Sequence, residues 1–265
     1  MNQIESNATT LLKQPSTYFN LYFEELRYYL NPLFQYKQGN CHNVAHYASL
    51  ILKSYHVSQK KIWIYAPCRY IENAKTAIKL PDPNNISSDG TLIWGFHVAN
   101  LIKFEGQELV YDFFIDEEKP MTVGQWIEKM QVKNFYIDIE IPEKYLFLTN
   151  DSEMKKNGVF NGQYFEYEGL CREDNWVAKG LAINETAIYF YKNEFYHFQY
   201  QTPLSNDYKL LVGRINNFEC VIRDGSFNKK MTLEFQQKHE KVIEKYRSIY
   251  EQNLEKWIEK VNAFL

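Results

Sequence analysis

The chain has 265 residues, 45% of them hydrophobic and 24% charged, with a formal net charge of -3. That length is enough to bury a core in one large domain or two small ones, and the balance is ordinary for a soluble globular protein. No basic block stands out, which argues against nucleic acid as a partner, and no apolar run is long enough to cross a bilayer. Aromatic residues reach 17%, which suits a fold with β structure or an adhesive surface.

Met1 to Ser16 is polar and reads as a mobile lead without the basic-then-apolar layout of a secretory signal. The expected location is therefore soluble, in the cytosol or exported without a cleaved signal. Tyr18 to Leu30 carries apolar residues at helical spacing and stops at Asn31-Pro32. Gln35 to Asn40 reads as a loop, and Cys41 to Tyr55 as a helix buried along much of its face. Lys61 to Ala66 is a short strand. Pro81 to Gly90, dense in Pro, Asn, Asp and Ser, is a loop. Thr91 to Phe104 and Glu108 to Phe114 read as two strands of a hairpin around Glu105-Gly106-Gln107. Thr122 to Met130 is a short helix with Trp126 and Ile127 turned inward.

The texture changes after Pro142. From Tyr145 to Ile222 aromatic and polar residues alternate, as in Phe160 to Tyr167, Ala187 to Tyr191, Phe195 to Tyr200 and Leu210 to Val212. Breaks such as Lys192-Asn193-Glu194 read as turns, and Asp224-Gly225 as the end of an antiparallel β meander. From about Thr232 to Leu265 the apolar residues return to three- and four-residue steps, a long amphipathic helix. The expected division is a lead at 1–16, an α+β domain at 17–142, and a β-rich region with the final helix at 143–265, suited to binding a target.

Four cysteines, Cys41, Cys68, Cys171 and Cys220, are scattered without a CxxC pair or a Cys/His metal spacing. Three of them read as structural. Cys41 stands apart because it opens a helix, where the helix dipole and unpaired N–H groups favour a thiolate. His97 lies in the first hairpin strand and Asp112 at the end of the second, so the two come close if the strands pair. A His beside the thiol can take its proton, and an Asp can hold the ring in one tautomer. The oxyanion formed on attack needs donors: the Cys41 N–H, with Gln35, Gln38 and Asn40 as side-chain candidates and Trp94 as support. Asp116 is the rival to Asp112. His46 and His42 point away from the thiol side. Taken singly, each of these residues is more often structural than chemical; it is the order Cys, His, Asp that suggests catalysis.

Four pieces, Gly39-Asn40-Cys41-His42-Asn43-Val44-Ala45-His46, Trp94-Gly95-Phe96-His97-Val98-Ala99, Val110-Tyr111-Asp112 and Pro120-Met121-Thr122-Val123-Gly124-Gln125-Trp126, resemble the bacterial protein-glutaminase (protein-glutamine deamidase) family. The match covers roughly residues 35 to 130. Phe113 stands where the family usually has Pro after its Asp. The resemblance implies a papain- and transglutaminase-like α+β core, with Cys41 as nucleophile, His97 as general base and acid, and Asp112 orienting His97. Gln35 sits at the distance from the Cys that papain-like enzymes use for a Gln. The implied reaction is hydrolysis of a glutamine side-chain amide in a protein substrate, without metal or cofactor. Relatives in this broad class include effectors and toxins delivered by bacteria into host or rival cells, which implies an inhibitor or immunity protein as a further candidate partner. The same thioester would make a transglutaminase if resolved by an amine, and a cysteine protease if the pocket took a backbone amide. A reading of another class treats the aromatic region and the last helix as a non-catalytic protein-binding module.

Overall fold

The computed structural model describes residues 15–83, 87, 89–149, 160, 162–166, 175–195 and 233–265. Helix α1 (Pro15–Leu30) begins at a proline, whose missing N–H is harmless in a first turn, and buries Phe19, Phe23, Leu26 and Leu30 at three- and four-residue steps. A 3-10 turn (Leu33–Gln35) and a short loop lead to Asn40, which adopts left-handed backbone angles (φ 63°, ψ 20°) before helix α2 (Cys41–Ser54). Every residue of α2 from Cys41 to Leu52 is buried. A helix covered on all sides is a central element, held by its neighbours rather than by its own propensity.

Strand β1 (Gln59–Tyr65) is followed by a single turn of helix, α3 (Pro67–Tyr70), and by β2 (Ile78–Pro81). The run from Thr91 to Phe104, expected as one strand, is two: β3 (Thr91–Trp94) and β4 (Phe96–Phe104). The break at Gly95 has a physical cause. Trp94 pairs with Ile78 in a small two-stranded sheet, whereas Phe96 pairs with Tyr65 in the main sheet. The Gly95 carbonyl accepts from the Ala66 N–H between them, so the chain steps from one sheet to the other at that residue.

Strand β4 turns into β5 (Gln107–Tyr111) through Glu105 and Gly106, both at positive φ (47° and 81°). That is the two-residue hairpin geometry matching strand twist. Helix α4 (Val123–Lys129) opens with a capping box, Thr122 and Gln125 each bonding the other's backbone N–H. Strand β6 (Tyr136–Glu140) completes an antiparallel four-stranded sheet in the order β5-β4-β1-β6. One face packs against α1 and α2 through Trp63, Tyr65, Val98, Ile102 and Tyr111. The other carries Ile62, Ile64, Ala99, Leu101 and Val110 against Trp126 of α4.

Beyond residue 142 the chain forms a second hairpin, β7 (Lys144–Thr149) with β8 (Gly162–Glu166), then α5 (Trp176–Phe190), α6 (Leu233–Lys238) and α7 (Glu240–Asn262). The expectation of β structure at Ala187 to Tyr191 is overturned, since these residues lie in α5 and the π turn (Tyr191–Phe195) that extends it. Lys192-Asn193-Glu194, read as a turn between strands, belongs to that same helical extension. The error is intelligible: α5 is wedged between α2 and α7 and buried on nearly every side, so it lacks the polar stripe that marks a helix in sequence. The meander expected at 196–222, Asp224-Gly225, Cys171 and Cys220 fall outside the described residues, as do residues 1–14 of the lead.

Helix α5 approaches α2 so closely that a Cβ on Gly180 would lie 2.0 Å from Asn43 Nδ2. Asn43 is fully buried and its Oδ1 accepts from the Tyr145 hydroxyl, so it has little room to yield. Gly180→Ala is therefore expected to destabilise. The strain of overpacking, about 1–3 kcal/mol, outweighs the helix-propensity gain of about 1 kcal/mol. Thermal unfolding of the variant, lowered by a few degrees, checks this; an unchanged or raised midpoint would show that the helices part freely.

Candidate active site

The thiol side is built by the loop 36–40 and the first turn of α2. Cys41 is the first residue of that helix and is only 9% exposed. It therefore sits among N–H groups that the helix itself leaves unpaired, at the positive end of the dipole. The loop is pinned from several directions. Trp94 Nε1 donates to the Lys37 carbonyl at 2.9 Å, and Lys37 Nζ donates to the Phe114 carbonyl at 2.8 Å. Gln38 Nε2 donates to Asp82 Oδ1 at 2.9 Å, and Asp82 Oδ2 accepts from the Ser87 N–H and hydroxyl. Asn40 Nδ2 donates to Asn184 Oδ1 at 2.9 Å. The amides of Gln38 and Asn40 are thus engaged in holding the loop, while Gln35 stands half-buried at the end of the 3-10 turn.

The base side comes from the hairpin. His97 is the second residue of β4 and Asp112 the first beyond β5. His97 Nε2 and Asp112 Oδ2 are 2.7 Å apart, and both side chains are buried. Asp112 Oδ2 also accepts from Trp126 Nε1 at 2.6 Å, and its Oδ1 accepts from the Phe114 N–H at 3.0 Å. Trp94 stacks on the His97 ring with centroids 4.6 Å apart and planes at 19°. One indole thus fixes the ring plane of His97 and, through its N–H, the loop that precedes Cys41.

With Nε2 committed to Asp112, Nδ1 is the ring nitrogen left for the thiol. It is buried and has no hydrogen bond of ordinary geometry among the described residues. Burial alone would lower the pKa of His97, but the charge and hydrogen bond of Asp112 and the adjacent Cys41 side chain outweigh it, raising the value to about 10. His97 is thereby held as an imidazolium through neutral pH. Linkage has the matching sign. The stability that His97 contributes is complete below its ordinary value of 6.5 and is lost as pH rises through about 10.

Asp116, the rival acid, is not part of this cluster. Its Oδ2 pairs with Lys129 Nζ at 2.8 Å and its Oδ1 accepts from the N–H groups of Glu118 and Lys119. Burial pushes its carboxyl up, but these donors bring it below the usual range. Beneath the thiol helix lies a separate polar layer. Lys61, fully buried, donates to the Lys144 carbonyl at 2.8 Å and lies 2.8 Å from His46 Nδ1. Burial, reinforced by the charge of Lys61, pushes His46 well down and His42 to about 3, so both rings stay neutral. His46 and His42 belong to this layer, each ring meeting that of Tyr145 edge-on.

Sequence reasoning brought forward Cys41, His97 and Asp112, and the fold brings them together. It missed the roles of Trp126 and Lys37, and of Asn184. Trp126 had a signal, since it was expected to face inward from the short helix Thr122 to Met130, but nothing in the pattern marked it as a donor to Asp112. Asn184 had none. Among the described residues no group of three or more His, Cys, Asp or Glu side chains is placed to hold a metal ion, and no helix is long and apolar enough to cross a membrane.

Comparison with known proteins follows the same residues. A family model described as "Glutaminase" matches residues 18–130. A crystal structure of a protein-glutaminase is 15% identical, with a TM-score of 0.43, covering 61% of this chain and 84% of that one. The NMR structure of protein-glutaminase from Chryseobacterium proteolyticum is 16% identical, with a TM-score of 0.38, covering 55% and 71%. A pro-protein-glutaminase crystal structure is 15% identical, with a TM-score of 0.41, covering 62% of this chain and 56% of that one. No curated protein matches. Residues 18–130, the segment that contains Cys41, His97 and Asp112, are thus the part of the chain that is similar to the glutaminase family.

Proposed function

We propose that the chain is a thiol-dependent protein-glutamine deamidase, with Cys41 as nucleophile, His97 as acid and base, and Asp112 as the group that holds His97. The observation that carries the reading is the line from Asp112 through His97 to Cys41, inside the segment matched by the family. A helix carrying the Cys against an antiparallel sheet edge carrying the His and Asp also suits a papain- or transglutaminase-like core.

In this reading Cys41 Sγ attacks the side-chain carbonyl carbon of a substrate glutamine. The charge on the carbonyl oxygen is met by the Cys41 N–H, with Gln35 as the candidate for a second donor. The C–N bond breaks and ammonia leaves with the proton from His97, giving a thioester. Water then attacks, His97 takes its proton, the C–S bond breaks, and the product is a glutamate carboxylate with the thiol site restored. Each event puts a charge where the target had a neutral amide, enough to disrupt a buried hydrogen bond or an interface.

The test is ammonia release from casein, with the substrate followed by intact mass. Expected are ammonia and single-dalton mass gains, both lost when the protein is first treated with iodoacetamide. Cross-linked casein would move the reading to a transglutaminase and cleaved casein to a protease. Activity that survives full alkylation of Cys41 would remove the thiol from the chemistry.

A further inference from the structure

We infer that Asn184, on a helix outside the family segment, is a positioning residue of the thiol site, acting through the backbone of Asn40. The inference rests on the reading of Cys41 as nucleophile. Asn184 is fully buried on α5, and its Oδ1 accepts from Asn40 Nδ2 at 2.9 Å across 144 positions of sequence. Its own Nδ2 lies 3.5 Å from the Leu33 carbonyl, at the start of the 3-10 turn that carries Gln35. The Gly180 carbonyl, one helical turn earlier, is 3.5 Å from the same Asn40 amide. One helix face thus grips both ends of the loop leading to the thiol.

The physical consequence follows from peptide geometry. Asn40 is in the left-handed region, which most side chains avoid and which Asn reaches at modest cost. The peptide unit joining Asn40 to Cys41 is planar, so the direction of the Cys41 N–H is set by the orientation of that one plane. Its carbonyl is held by the N–H groups of Asn43 and Val44 at 3.0 and 3.3 Å. On the other side the Asn40 side chain is held by Asn184. With the tie removed, Asn40 can relax toward ordinary angles, and the N–H that would stabilise the oxyanion turns with it. Helix α5 therefore completes a site whose chemical groups all lie in residues 18–130.

The experiment is a double-mutant cycle on the full chain with Asn40→Gly and Asn184→Leu. Glycine still permits the left-handed angles but cannot be tied, and leucine fills the place of the asparagine without an acceptor. Thr186→Val serves as the control on the same helix, since Thr186 bonds Asn253 of α7 rather than the loop. The readouts are kcat and KM for ammonia release, the rate of Cys41 alkylation, and the unfolding midpoint. Each single variant is expected to lower kcat by about tenfold with little change in KM, and the double variant to lose no more than either. Thr186→Val is expected to keep the wild-type kcat. Losses that add, an Asn184→Leu kcat at the wild-type level, or a Thr186→Val loss matching that of Asn184→Leu would overturn the inference. If the wild-type protein releases no ammonia, the deamidase reading fails by itself, and the alkylation rates alone decide the role of Asn184.

Discussion

Asp112→Asn is expected to lower the rate of ammonia release by about 10³–10⁴-fold, with Cys41→Ala as the zero line. The reason lies in the number of donors that converge on this carboxylate. Oδ2 accepts from His97 and Trp126, and Oδ1 from the Phe114 N–H. A carboxylate offers only acceptors. An asparagine must turn its NH2 either toward the Phe114 N–H or toward the Trp126 indole, and in either pose two donors face one another in a buried site. The imidazole also loses its counter-charge. Burial, already the largest influence on His97, then prevails and brings its pKa down from about 10. The alkaline limb of the pH–rate profile, near pH 10 in the wild type, should move to lower pH in the variant. A limb that stays in place while the rate falls would show that His97 does not owe its charge to Asp112.

The second large effect is expected at Trp126, in two separable parts. Its side chain is fully buried and is the anchor of α4 on the sheet. Trp126→Ala should cost about 3–5 kcal/mol through the cavity it leaves, a fall of roughly 10 °C in the unfolding midpoint. Trp126→Phe keeps most of the packing and removes only the N–H to Asp112. A hydrogen bond to a charged acceptor contributes about 1.5–3 kcal/mol, so kcat should fall by about ten- to a hundredfold if the bond matters at the transition state. KM should stay near the wild-type value. Equal activity in Trp126→Phe and wild type would reduce the indole to a packing residue.

Much of the arrangement could be read from local pattern. The hairpin at Glu105-Gly106, the helix opening at Cys41, the capped helix at Thr122 and the C-terminal amphipathic helix are each signalled by residues within a few positions of one another. Their physics, turn angles and caps and amphipathic stripes, is equally local. The reading failed where burial erased the pattern. Helix α5 is apolar on nearly all faces because α2 and α7 enclose it, and its last four residues, with Tyr191 beyond them, then pass for an alternating strand. The single strand drawn through Gly95 failed for a related reason, since hydrophobic alternation continues unbroken while the pairing partner changes from β2 to β1.

From sequence alone, then, come the order Cys, His, Asp, the elements that carry them, and the family resemblance of roughly residues 35 to 130. Only the tertiary structure decided what holds them. Trp126 meets Asp112 and Trp94 spans His97 and Lys37, while Asn184 reaches Asn40 from the far part of the chain. These contacts join side chains whose partners are chosen by how helices and sheet pack in three dimensions. Spacing along a chain records the period of a helix or a strand, but carries no measure of which distant surface will close against it.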